Sequence, residues 1–450
     1  MSYCRRLTAF LALGFFVLST PESQRLPVRR QGSRPSNSVD QNSTVDSTTI
    51  NRKLLMGYQG WFACAGDGSL LNNWFHWSRN AQKPNAETVT VDFWPDTSEQ
   101  DTDELCDTAF TIRDGSVARV YSAYNSKTVK RHFRWMQDYG LDGVFLQRFS
   151  SELPNPRLFA FRNQVAQNVR AGAEAYGRVF AIMYDISGQN EGTLIQDLKN
   201  DWTYLVDILK ITESPHYLQH NGRPVLAIWG FGFSDRPGTP AQAAQLIAYF
   251  KSGAEPKYRV TLMGGVPTYW RTLTRDSKTD PDWAAVYRSF DVISPWAVGR
   301  YGDEAGADRF KNDLIVPDLA EAKLSGAEYM PVIFPGFSWH NLRAGPLNQI
   351  PRNGGRFYWR QVYNSISAGC SMIYGAMFDE VDEGTAMYKL AATPGQIPVQ
   401  GFFVPLSIDG YRLPSDWYLR LAGDAARMLR GEIPLSAQMP QSPSSGRRRP

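Results

Sequence analysis

Leu141-Asp142-Gly143-Val144-Phe145-Leu146-Gln147, a helical stretch over Leu158–Tyr176, and then Arg178–Asp185, RVFAIMYD, decide the fold. Both flanking segments are short, apolar runs without strict alternation, the pattern of strands covered on both faces. Between them lies a helix of ordinary length, so the unit reads as β-α-β, which favours a parallel sheet with a right-handed crossover. The unit repeats along the chain. Strands are predicted at 54–62, 141–147, 178–185, 224–230, 258–264, 291–296, 329–335 and 371–378. Helices are predicted at 128–139, 158–176, 200–211, 240–251, 283–290, 303–325, 357–368 and 415–430. Eight such units predict an α/β protein of the (β/α)8 TIM-barrel class, a single catalytic domain with a long insertion, 63–125, after the first strand. An open doubly wound sheet is the alternative, but no GxGxxG follows the first strand and no GxxxxGK[ST] occurs.

The remaining sequence bounds the domain. Arg5 and Arg6 precede an apolar run from Leu7 to Thr20, so residues 1–22 read as a secretory signal peptide. Residues 23–50, rich in Ser, Asn, Arg, Pro and Thr, read as a disordered linker, and Ser/Pro/Arg-rich 433–450 as a disordered tail. The barrel then occupies 51–432. The net charge is +4, but arginines at the two ends carry the excess and leave a mildly acidic body. No basic face for nucleic acid follows. A mean hydropathy of −0.38 and the lack of an apolar run of membrane-spanning length exclude a polytopic membrane protein. The expected location is extracellular or periplasmic, with no membrane association once the leader is removed. Of four cysteines, Cys4 falls in the leader. Cys64 and Cys106 lie in polar, loop-like surroundings and are expected to pair, while Cys370 opens an apolar strand and reads as a buried free thiol.

Chemistry in a barrel of this class lies at the carboxyl ends of the strands. Read in turn, those ends bring Tyr58 and Trp61, Gln147 and Arg148, Tyr184 and Asp185, Trp229, Trp296 and Arg300, and His340. Aromatic rings suit the apolar faces of sugars and planar polar groups suit their hydroxyls. These residues are therefore candidates for binding a polysaccharide or oligosaccharide, with Arg148 and Arg300 also fitting an acidic or sulfated sugar. After the last strand comes Phe378-Asp379-Glu380-Val381-Asp382-Glu383-Gly384-Thr385, four carboxylates in five positions. Crowding raises carboxyl pKa values and so keeps an acid protonated near neutral pH. In a helical turn, Glu380 and Glu383 would sit about 5–6 Å apart, the separation of the two carboxyls in retaining glycosidases. GxSxG and HExxH are missing, and no metal or cofactor is expected. His216 and His220, four apart, read as surface residues.

The motif 378–385 resembles the strand-eight motif of glycoside hydrolase family 99, the endo-α-mannosidases and mannanases, which runs roughly Phe/Tyr-Asn-Glu-Trp-His-Glu-Gly-Thr. Met56-Gly57-Tyr58-Gln59-Gly60-Trp61 and Gly143-Val144-Phe145-Leu146-Gln147 resemble the same group. The likeness is closer still to secreted bacterial proteins described as xylosidase/arabinosidase, a sister set related to families 71 and 99, and it spans about residues 52–390. It implies that Glu383 is the general acid/base and that Glu380 acts as base on the substrate 2-hydroxyl, with net retention through a 1,2-anhydro sugar. Asp379, Val381 and Asp382 depart from the family's Asn, Trp and His. The expected function is a secreted glycoside hydrolase cleaving an α-linked glycan. The alternative is a catalytically inactive glycan-binding barrel.

Overall fold

The computed structural model describes residues 44–440 together with 444–445. The expected signal peptide and residues 23–43 of the expected linker lie outside them. The barrel strands are β1 (Leu54–Tyr58), β2 (Gly143–Phe149), β3 (Val179–Asp185), β4 (Arg223–Trp229), β5 (Thr261–Val266), β6 (Val292–Pro295), β7 in two pieces (Glu328–Tyr329 and Val332–Ile333) and β8 (Ile373–Gly375). All eight pair in parallel with their neighbours in order. Closure rests on the break in β7. Its first piece pairs with β6 (Glu328↔Val292) and its second with β8 (Val332↔Tyr374), while β8 pairs with β1 (Leu54↔Ile373). The interruption falls at Met330-Pro331, where proline has no N–H to give a ladder.

Each strand is followed by a helix: α1 (Ser126–Tyr139), α2 (Pro156–Tyr176), α3 (Leu194–Asp207), α4 (Pro240–Ala248), α5 (Trp283–Arg288), α6 (Glu304–Phe310, carried through a π-turn at Lys311–Ile315 into Val316–Ser325), α7 (Arg356–Ser367) and α8 (Trp417–Arg430). The predicted (β/α)8 architecture is thus present, and the sequence signals for its elements are local. The Asn155 side chain accepts from the N–H groups of Arg157 and Leu158 to start α2, Pro156 holds its first turn, and left-handed Gly177 ends it. The ring of helices closes where α8 meets α1. A Cβ on Gly423 would lie 1.9 Å from the Tyr139 carbonyl oxygen, so only glycine permits that approach.

Most element ends shift by a few residues from the predicted ones, and three boundaries bear on the architecture. The first strand ends at Tyr58 rather than 62, because the next two backbone N–H groups, of Gln59 and Gly60, turn onto the Asp379 carboxylate. Residues 44–50, placed in the linker by composition, are docked on the body: Val45 N donates to Gly177 O, Gln219 N to Ser47 O, and the Ser47 hydroxyl to Pro215 O. His220, expected at the surface, is buried beneath this strap, with Thr49 on one ring nitrogen and the Glu328 carboxylate on the other. At the far end, residues 433–440 pack Ile433 and Met439 against the core, and Trp359 Nε1 donates to Ser436 O. Tyr411–Arg412 pairs antiparallel with Ser444–Ser445.

The 63–125 insertion holds an antiparallel hairpin, Leu105–Thr111 with Val117–Tyr121, and a buried aromatic layer including Trp77 and Trp94. A disulfide joins Cys64 to Cys106, and Cys370 is a buried free thiol. Asp92 fixes the insertion to the loop after β7. It accepts from the Ser338 hydroxyl at 2.5 Å and from the backbone N–H groups of His340 and Asn341 at 2.7 and 2.8 Å.

Candidate active site

The acidic motif begins at Phe378, with two residues between it and the end of β8 at Gly375. Residues 381–384 form a turn closed by the N–H groups of Thr385 and Ala386 on Glu380 O. Gly384 makes the turn possible: its φ is +68°, and a Cβ there would meet Ser338 N at 2.7 Å. The four carboxyls then diverge in role. Asp379 is buried and accepts from Gln59 N and Gly60 N at 2.7 and 2.9 Å, so it is a structural clamp on the end of β1. Glu380 is 5 % exposed; Gln59 Nε2 donates to its Oε1 at 2.9 Å and the Thr385 hydroxyl to its Oε2 at 2.8 Å. Asp382 is 2 % exposed and meets His76 Nδ1 at 3.2 Å through Oδ2, leaving its other oxygen without a partner among the described residues. Glu383 alone is partly exposed, and its carboxyl has no hydrogen-bond partner among the described residues.

Burial dominates the electrostatics. Glu380 is pushed well above the usual carboxylate range, first by burial and then by the charges of Glu383 and Asp382, with the Thr385 bond opposing. Glu383 is pushed up to about 7 by burial and by Asp382, against the pull of Arg343 and Arg236. Asp379 and Asp382 are also pushed up to about 7, again chiefly by burial. The cluster therefore retains protons near neutral pH. His76 is pushed down to about 3 by burial, so its imidazole is neutral.

The predicted lining divides. Trp61 stacks on His76, centroids 3.7 Å apart and 6° from parallel, and so backs Asp382. Asp185 ends β3 with its carboxyl on Ser187 N at 2.7 Å; burial pushes it up to about 6, and its charge is felt at Glu383. Trp229 and Trp296 meet edge to face at 5.5 Å, with the Arg236 guanidinium 5.3 Å over the Trp229 ring. His340 donates through Nδ1 to Gly345 O and packs against Phe402. Gln147 lies one layer down, donating to the Tyr374 hydroxyl inside the barrel.

Three candidates are corrected. Arg148 does not face the cleft. It is 1 % exposed and forms a bidentate pair with Asp201, both bonds 2.6 Å. Tyr184 donates to the same Asp201 at 2.6 Å. Successive strand residues point to opposite faces, so with Gln147 and Asp185 turned inward, Arg148 and Tyr184 turn toward the helices. Tyr58 is fully buried with its hydroxyl on His132 Nδ1 at 2.8 Å, packed against Phe133 and Phe378 under the motif. Arg300 is tied to Asp276 at 2.6 Å and to the Thr268 hydroxyl at 2.9 Å, in the wall of a neighbouring pocket. Sequence reasoning missed His76, Asp92, Arg236 and Arg343. The first two come from the insertion, whose path over the barrel leaves no local trace. Among the described residues no group of three or more His, Cys, Asp or Glu could hold a metal, and no helix is long and apolar enough to cross a membrane.

No family model and no curated protein matches this chain. Solved structures do. Two structures of the GH99 endo-alpha-mannosidase from Bacteroides thetaiotaomicron, one in complex with Bis-Tris-propane, align with TM-score 0.60 and 15 % identity over 85 % of this chain and 99 % of theirs. The likeness is one of fold, and it takes in nearly the whole of that enzyme.

Proposed function

We propose that this chain is a secreted glycoside hydrolase that cleaves an α-linked glycan with retention, with Glu383 as acid/base and Glu380 as its partner. One observation carries the reading: within a single turn, Glu383 presents a partly exposed carboxyl with no hydrogen bond while Glu380 is held by two donors. The shared fold with a GH99 endo-alpha-mannosidase supports it.

Glycoside hydrolysis needs a proton for the leaving oxygen and a group that attacks the anomeric carbon. Glu383, pushed up to about 7, supplies the proton. The amide of Gln59 and the hydroxyl of Thr385 donate to Glu380 and oppose the burial that raises it; the reaction needs the anion on Glu380 and the proton on Glu383 when substrate binds. Glu380 then takes the proton of the sugar 2-hydroxyl, and the 2-oxygen closes on the anomeric carbon as the glycosidic bond breaks. Water opens the resulting 1,2-anhydro sugar, giving its proton to Glu383, while Glu380 returns a proton to the 2-oxygen. Two inversions leave the configuration retained. The Cys64–Cys106 disulfide supports export to an oxidising compartment.

A binding barrel without catalysis is the second reading. Asp382 favours it, because this further buried acid, pushed up to about 7 like Glu383, can itself take the proton that Glu383 must hold. The test is hydrolysis of a panel of α-mannans, α-glucans, arabinans and sulfated polysaccharides by the wild type beside Glu383→Gln. The wild type is expected to release sugar from one class, with the variant slower by about 10²–10⁴-fold. Tight binding with no release by either protein would establish the binding barrel. Equal release by both would remove Glu383 from the chemistry.

A further inference from the structure

The loops after β5 and β6, with the start of α6, border an open cavity of about 620 Å3 that the proposed reaction does not use. Its walls carry four guanidinium groups. Two are already neutralised: Arg271 by Asp318 at 2.8 Å and Arg300 by Asp276 at 2.6 Å. Among the described residues Arg275 donates only to the Tyr269 hydroxyl, at 2.6 Å, with its guanidinium 4.5 Å over the same ring. Arg309 has no hydrogen bond or ion pair among the described residues. Of the carboxylates in the walls, Asp303 accepts from Gly306 N to start α6, and Asp313 stands alone against the two uncompensated arginines.

The loop presenting Arg275 is built rather than slack. Leu273 and Arg275 both adopt left-handed φ, +53°, which side chains other than glycine rarely do. Asp276 holds them there by accepting from Thr268 N, Tyr269 N and Arg300. Strain that the surroundings over-determine is a feature of binding sites. The cavity also adjoins the cleft. Thr268 donates to Trp296 O at 2.6 Å and accepts from Arg300, and Trp296 meets Trp229 under Arg236, whose charge reaches Glu383. Both loops leave the carboxyl ends of their strands, so cavity and acidic turn share one face of the barrel.

We propose that this cavity is a remote subsite for an acidic sugar unit, its carboxylate or sulfate ester held by Arg275 and Arg309 and its ring set against Tyr269. The proposal rests on the glycosidase reading and narrows the substrate to a charged glycan. A guanidinium fork matches both anions, which share planar or tetrahedral oxygens able to accept two parallel bonds.

Calorimetric titration of the full chain with three probes tests it: trigalacturonate for carboxylate, a κ-carrageenan tetrasaccharide for sulfate ester, and neutral maltotetraose. One charged probe is expected to bind more tightly than maltotetraose, with affinity falling as salt rises. In Arg275→Ala/Arg309→Ala that affinity drops about tenfold or more, while maltotetraose is unaffected. Arg309→Ala alone, which removes no bond, guards against a folding effect and is expected to show part of the loss. Unchanged affinity in the double variant overturns the proposal, as does a failure of both charged probes to exceed maltotetraose. The readout is binding, so the two readings separate: binding through these arginines without hydrolysis of any glycan would retire the hydrolase alone.

Discussion

Arg148 and Asp201 form an ion pair shut away from water, with Tyr184 and Asn163 completing the bonds. Removing the guanidinium strands a buried carboxylate, a change that costs about 3–5 kcal/mol. Arg148→Met is therefore expected to lower the melting temperature sharply in calorimetry while leaving glycan affinity of the folded protein intact. Loss of affinity at unchanged stability would return Arg148 to the cleft. At this scale the sequence was legible where chemistry is dense and opaque where partners are distant. Glu380 and Glu383 stand out because four acids follow one strand. Arg148 misleads because its partner lies on α3, and nothing near residue 148 announces it. The alternation that separates Gln147 from Arg148 is itself readable, and would have excluded one of the two.

The insertion works as an element with two tethers. One is the disulfide, which closes a sequence separation of 42 residues. Loop entropy assigns such a bridge about 4 kcal/mol. Cys64→Ser/Cys106→Ser is expected to lose stability of that order in denaturant unfolding, and a loss under about 1 kcal/mol would mean that packing alone orders the loop. The other tether is Asp92, through which the insertion grips residues 338–341. Barrel strands were legible because burial on both faces leaves continuous apolar runs. The insertion was not, since its shape is set by contacts such as His76 on Asp382, 306 residues apart.

Across the whole molecule, an acidic centre buried in a barrel makes stability depend on pH in an unusual direction. Asp379 and Asp382 are held near 7, Asp185 and Asp318 near 6, all above their ordinary value of 3.8. The folded state thus binds more protons than the unfolded one between those limits. The stabilisation tied to these groups is complete below the unfolded pKa values and is lost as pH rises through about 4 to 7. The melting temperature is expected to fall between pH 5 and pH 8, and less so in Asp379→Asn, whose amide cannot ionise. An equal fall in both proteins would show that Asp379 is not among the groups responsible.

The docked strap has a consequence for how the barrel faces its surroundings. Residues 44–50 run beside Gly177, Pro215 and Gln219, all just ahead of β3 and β4, so the chain enters at the amino ends of the strands. The acidic turn opens at their carboxyl ends. A tag or linker joined upstream of residue 44 would hold the barrel from behind and leave the acidic turn facing away from the attachment.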